Sequence, residues 1–125
     1  MKDMIKLLLV DNEKTVRQGL RMRLDLEPDL TIVGEAENGI EALKLTQVVQ
    51  PDVVVMDVDM PAMDGITATK GLQSMSPPVT VVISSIHDDA QTRCRAKAAG
   101  AAAFVGKQEG VELLIDTIRQ TVKHD

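Results

Sequence analysis

With 125 residues, 44% of them apolar and 26% charged, the chain has the size of one domain and enough apolar mass for a core. A net charge of −5 leaves no basic footprint for nucleic acid. The N-terminal apolar run Ile5–Val10, interrupted by Lys6, is too short for a signal-peptide core or a membrane span. These features predict one cytoplasmic domain over 1–125, bound to neither nucleic acid nor membrane.

In chain order, Ile5–Val10 reads as a strand covered on both faces. Thr15–Leu26 carries Val16, Leu20 and Leu24 four apart, a helical stripe closed by Pro28. Leu30–Val33 is short and alternating, an edge strand. Asn38-Gly39 opens a helix with Ile40 and Leu43 that ends near Pro51, and Val53–Met56 is a buried strand running into Asp57. Ile66, Thr69 and Leu72 mark a third helix, stopped before Pro77-Pro78. Val79–Ser85 is β-branched. Asp88 and Asp89 suit the positive end of the next helix, which reaches Ala99 and stops at Gly100. Ala102–Val105 is a small-residue strand, and Val111, Leu114, Ile115, Ile118 and Val122 form a cleanly amphipathic helix. The lone cysteine, Cys94, excludes an intrachain disulfide; it shares a small apolar stripe with Ala90 and Ala98, which predicts a packed core thiol.

Strict strand–helix alternation predicts an α/β fold, a flavodoxin-like (βα)5 doubly wound parallel sheet in order 2-1-3-4-5. Its crevice lies beyond the carboxyl ends of the strands, between the first and third. The first strand ends in Asp11-Asn12-Glu13, the third in Asp57, the fourth in Ser84-Ser85 and the fifth in Gly106-Lys107. The second offers nothing chemical. Driving a buried strand into a carboxylate is costly unless something compensates it. Asp11 and Asp57, with Asn12 or Glu13, supply hard oxygen ligands that suit Mg²⁺. A carboxylate is also a competent nucleophile toward phosphorus. Lys107 can neutralise a phosphoryl oxygen and Ser85 can donate to another, the set that phosphoryl transfer needs.

At these residues the chain resembles a response-regulator receiver domain of two-component signalling, over essentially its whole length. DVDMPAMDG is similar to the family's phosphoacceptor strand and loop, LLLVDNE to its acidic metal-binding loop, VVISS to the strand bearing a switch hydroxyl, and AAAFVGK to the lysine strand. The resemblance implies that Asp57 is phosphorylated by a histidine kinase or histidine phosphotransfer protein with Mg²⁺ bound. It implies Asp11 and Asn12 at the acidic-pair positions, the main-chain carbonyl of Asp59 as a further metal ligand, Ser85 and Phe104 as the switch pair and Lys107 as the phosphate-binding lysine. HDD after VVISSI resembles the branch that carries a C-terminal helix-turn-helix, whose output domain would lie beyond Asp125. The resemblance also implies that the face of the fourth helix, fifth strand and fifth helix serves homodimerisation or output. Arg93 and Lys97 read as a solvated part of the fourth helix or as part of that face, and His87 as a surface residue near the site.

The chain departs from the family pattern at Asn12, which replaces the second acid, and at Gln108, where many receivers have proline. A haloacid-dehalogenase-type phosphatase would also explain Asp57-Val58-Asp59. Its nucleophile, however, lies on the first strand, and it needs an acidic loop after the lysine, where only 18 residues follow Lys107. A receiver that no longer uses phosphate would explain Asn12 but not the intact Asp57, Ser85 and Lys107.

Overall fold

The computed structural model describes residues 4–122. Strand β1 (Ile5–Val10) is followed by α1 (Lys14–Leu24), β2 (Leu30–Ala36), α2 (Gly39–Val49), β3 (Val53–Met56), α3 (Gly65–Gln73), β4 (Thr80–Ser85), α4 (Ala90–Ala98), β5 (Ala103–Gly106) and α5 (Val111–Thr121), with a 3₁₀ turn at Lys107–Glu109 before α5. The strands form one parallel sheet in the order β2-β1-β3-β4-β5, the flavodoxin-like winding.

Because successive side chains on a strand point to opposite faces, the apolar runs feed two cores. Leu8, Val10, Val54, Met56, Val81 and Ile83 face one way, packed with Ala42, Ile66, Leu72 and Ala96. Leu7, Leu9, Val53, Val55, Val82 and Val105 face the other, packed with Leu24, Leu114, Ile115 and Ile118. Helices α2, α3 and α4 thus cover one face and α1 and α5 the other. Side-chain oxygens fix three helix starts: Asn38, Asp64 and Asp89 accept from the main-chain N–H groups of Glu41, Thr67 and Thr92. Among the described residues no helix is long and apolar enough to cross a membrane.

Two expectations need correction. Strand β2 does not end at Val33 but runs to Ala36, because its main chain keeps pairing with β1 (Leu9 opposite Glu35, Val10 opposite Ala36) after its apolar pattern stops. Cys94 is exposed rather than packed. Helix α4 buries Ala96 and Ala99 instead, since a stripe of small residues carries too little apolar area to orient a helix, and its neighbours choose the face.

The loop after β3 brings two main-chain segments into contact. Gly65 donates its N–H to the Val58 carbonyl at 2.9 Å, and a Cβ on Gly65 would stand 1.9 Å from the Asp57 carbonyl oxygen. That oxygen belongs to a buried strand end and cannot step aside. Gly65→Ala is therefore expected to destabilise the fold by more than about 2 kcal/mol, through overpacking against fixed backbone. Urea denaturation checks it.

Candidate functional site

Asp57 follows β3 directly, and its N–H donates to the Val10 carbonyl at 2.9 Å, so the sheet's own ladder seats it. Its side chain is only 8% exposed. The Val58 N–H donates to Asp57 Oδ1 at 2.9 Å. Lys107, at the end of β5, donates from Nζ to Asp11 Oδ2 at 2.7 Å and stands 3.6 Å from Asp57 Oδ1. One ammonium is therefore shared by two buried carboxylates, whose charges it cannot both neutralise. Burial pushes the Asp57 carboxyl up to about 6; Lys107 and the Val58 N–H oppose this, while Asp11 and Asp59 add to it. Burial also works against the charge on Lys107, but Asp11 and Asp57 outweigh it and hold the ammonium above its ordinary range.

Behind the carboxylates a cavity of about 260 Å³ opens between α1 and α5, walled by Leu9, Leu20, Val55, Val105, Val111 and Leu114. Ser84 lines the same cavity. Ser85, its neighbour on β4, is fully buried on the opposite face, and its Oγ accepts the main-chain N–H of His87 at 3.0 Å. Phe104 sits opposite Ile83 in the β4–β5 register, and the Arg93 guanidinium lies over its ring, 4.7 Å from the centroid.

Residues 7–119 match the family described as the response regulator receiver domain. The chain belongs to that family. Among curated relatives, the receiver is 41% identical to the response regulator GacA of Pseudomonas aeruginosa over 94% of this chain and 55% of GacA. It spans about half the length of this and other curated regulators it matches. Among solved structures, it superposes on the response regulator domain of Thermotoga maritima CheB with a TM-score of 0.90 and 30% identity, covering 98% of both chains. It is also similar to a DNA-binding response regulator of the LuxR family from Staphylococcus aureus, with a TM-score of 0.88 and 25% identity over 94% of this chain and 98% of that one.

The receiver fold brings Asp11, Asp57 and Lys107 together as the strand ends predict. Asn12 and Glu13 are exposed at the rim. The Asp59 side chain, 56% exposed, turns outward to pair with His87 Nδ1. Among the described residues no group of three or more acidic, histidine or cysteine side chains is assembled for a metal. The donor set is thus two carboxylates with excess negative charge, which fits Mg²⁺, an ion usually held by one or two carboxylates and several waters. Arg93 is not simply solvated: besides covering Phe104, it donates to the Asp88 carbonyl at 3.0 Å and to Glu109 at 3.1 Å. Gln108, at the position of the family's proline, donates to the Asp88 carboxylate and ties the two loops flanking Phe104.

The sequence reading missed Arg17 and Glu35. Arg17 is buried, with its Nε 3.0 Å from Glu35 Oε1, and Glu35 lies on the strand read as having nothing chemical. A signal was present: Arg17, Leu20 and Leu24 recur at helical spacing, which puts a cation on the buried stripe.

The raised Asp57 pKa has a consequence for stability. With about 6 in the folded state against about 4 in an unfolded chain, the native state binds the extra proton, so stability falls as pH rises through that window. Asp57→Asn removes the buried charge. Its stability relative to wild type is expected to grow by about 1–3 kcal/mol between pH ~4 and pH ~7.5, as measured by urea denaturation at both values.

Proposed function

We propose that this receiver is a phosphorylation-controlled switch that accepts a phosphoryl group on Asp57 from a histidine kinase or histidine phosphotransfer protein in a Mg²⁺-dependent reaction. The observation that carries the reading is the single Lys107 ammonium bridging two buried carboxylates at the switch point of the sheet. An Asp57 oxygen attacks phosphorus, the donor's N–P bond breaks, and the imidazole leaves with its electron pair and is protonated. Lys107, already 3.6 Å from Asp57 Oδ1, shifts from Asp11 toward the arriving phosphoryl oxygens. Asp11, Asp57, the main-chain carbonyl of Asp59 and the Asn12 side chain would hold the metal, which supplies charge neutralisation when bound.

Ser85 is the switch hydroxyl in this reading. To donate to a phosphoryl oxygen it turns from the His87 N–H, vacating space that Phe104 fills, and Arg93 must then leave the ring. The face formed by α4, β5 and α5 is where we place output or self-association. In the whole protein the output we infer is transcription control through DNA binding, on the likeness to the LuxR-family regulator.

Incubation with acetyl phosphate and Mg²⁺, read by intact-protein mass spectrometry, should add one phosphoryl group to wild type and none to Asp57→Asn. Labelling of Asp57→Asn elsewhere would sink the assignment. Phosphate release at many turnovers from phosphomonoesters would favour a phosphatase, and no uptake at any Mg²⁺ concentration a phosphate-independent module.

Asn12 supplies an oxygen without formal charge. Asn12→Asp is expected to tighten Mg²⁺ about tenfold, or ~1.4 kcal/mol, and to speed labelling. Calorimetric titration of both proteins checks it; equal affinities would remove Asn12 from the ligand set.

A further inference from the structure

The buried cation on α1 stands where electrostatics disfavours it. Arg17 lies in the first turns of α1, next to the helix's positive end, and is only 8% exposed. A cation at that end is opposed by the helix dipole, and its burial carries a desolvation cost. Two contacts of its own hold it there, and a third holds its partner. Arg17 Nη1 donates to the main-chain carbonyl of Asp11, and Arg17 Nε donates to Glu35 Oε1 at 3.0 Å. The other oxygen of Glu35 accepts from Arg21 Nη1 at 2.6 Å, so two arginines pin the carboxylate in one orientation. Burial alone would raise the Glu35 carboxyl, but the hydrogen bonds from Arg21 and Arg17 hold it below its usual range, so it is charged at neutral pH.

Each oxygen of Asp11 thereby has a partner that orients it. Its carbonyl takes Arg17, Oδ1 takes the Glu13 N–H at 2.9 Å, and Oδ2 takes Lys107 at 2.7 Å. Its own N–H donates to the carbonyl of Ala36, the residue after Glu35. Asn12 and Glu13, which follow, are exposed. Asp11 is the fixed point of the acidic loop, and the side chain that fixes its main chain is Arg17.

We propose that Arg17 and Glu35 are positioning residues for the reaction at Asp57: Glu35 holds the Arg17 guanidinium on the Asp11 carbonyl, and this sets the direction in which the Asp11 carboxylate meets Mg²⁺. The proposal rests on the phosphoacceptor reading for the metal and goes beyond it in recruiting the edge strand β2 to the site. Arg17 sits one step behind the ligand, as outer partners of metal sites do, and Glu35 one step behind Arg17. Without the Glu35 charge, Arg17 is left buried and free to swing toward the acids, where it competes with the metal.

The test compares Glu35→Gln with wild type, with Arg23→Gln as control. Arg23, also on α1, pairs with Glu27 and Glu112 instead, so its loss removes an ion pair of that helix while leaving the Arg17–Glu35 pair in place. In Glu35→Gln the Mg²⁺ dissociation constant by calorimetry is expected to rise about three- to tenfold, below the roughly ten- to hundredfold of a direct outer partner. The half-saturating Mg²⁺ concentration for acetyl phosphate labelling should rise by the same factor, while the rate at saturating Mg²⁺ stays within about twofold. The Glu13 amide resonance of the metal-free protein, which reports the Asp11 Oδ1 contact, should move in Glu35→Gln and not in Arg23→Gln. Arg17→Met should reproduce the metal effect; if it fails to fold, Glu35→Gln decides alone. A folded Glu35→Gln with Mg²⁺ affinity within twofold of wild type and an unmoved Glu13 amide would overturn the positioning role. If wild type itself neither binds Mg²⁺ nor takes up phosphate, the phosphoacceptor reading falls first and the positioning role with it.

Discussion

Two carboxylates and one ammonium converge at the carboxyl end of the sheet, and the rest of the molecule is arranged to keep them there. Asp57 is carried by β3 and Asp11 by β1, adjacent parallel strands with every residue of β3 buried. Lys107 comes from β5, two strands from β3 and three from β1, and must reach back across the sheet to meet them. A parallel sheet supplies this convergence because all its strands end on the same side, and the change in winding direction beside β1 leaves a crevice there. The cost is electrostatic. One cation between two buried anions leaves Asp57 hard to ionise, and the site is poised to gain from a further positive charge.

Around this centre polar contacts hold the loops, in addition to the apolar packing of Val58, Met60 and Met63 after β3. Asp64 caps α3, Gly65 lets the loop lie flat against the Asp57 carbonyl, and Ala62 takes a left-handed conformation, φ 67°, beneath the Met63-to-Pro61 turn. Such backbone strain persists only where surrounding contacts over-determine it. On the far side, Arg93, Asp88, Gln108 and Glu109 link the loops after β4 and β5 above Phe104. These contacts are exposed or half-buried, and each is individually weak. A set of weak contacts over a half-buried ring can rearrange more readily than a close-packed core.

The α1 side differs in kind. Arg17 is buried and paired, and losing one partner of such a pair costs more than losing a surface bridge. The edge strand therefore bears on the acidic loop through charge, although it lies outermost in the sheet. The α1–β2 side, with its buried ion pair, and the α4–β5 side, with its exposed ones, flank the same three residues.

The order and type of the elements were legible in the sequence because period and punctuation are local properties. Val53–Met56 can only be a buried strand, Val111 to Ile118 only an amphipathic helix, and strict alternation leaves few windings for five strands. The convergence of Asp11, Asp57 and Lys107 was legible for the same reason, since a parallel sheet collects whatever its strands end in. Other features depended on which surfaces meet. Local pattern placed Cys94 inward and ended β2 at Val33; packing turned α4 onto Ala96 and Ala99, and ladder pairing with β1 carried β2 on to Glu35. Whether Arg17 was a solvated cation or a buried one depended on Glu35, 18 residues away, facing it across the α1–β2 junction. A charge's cost or benefit is set by the partner that arrives from elsewhere in the chain, and only the tertiary structure brings that partner.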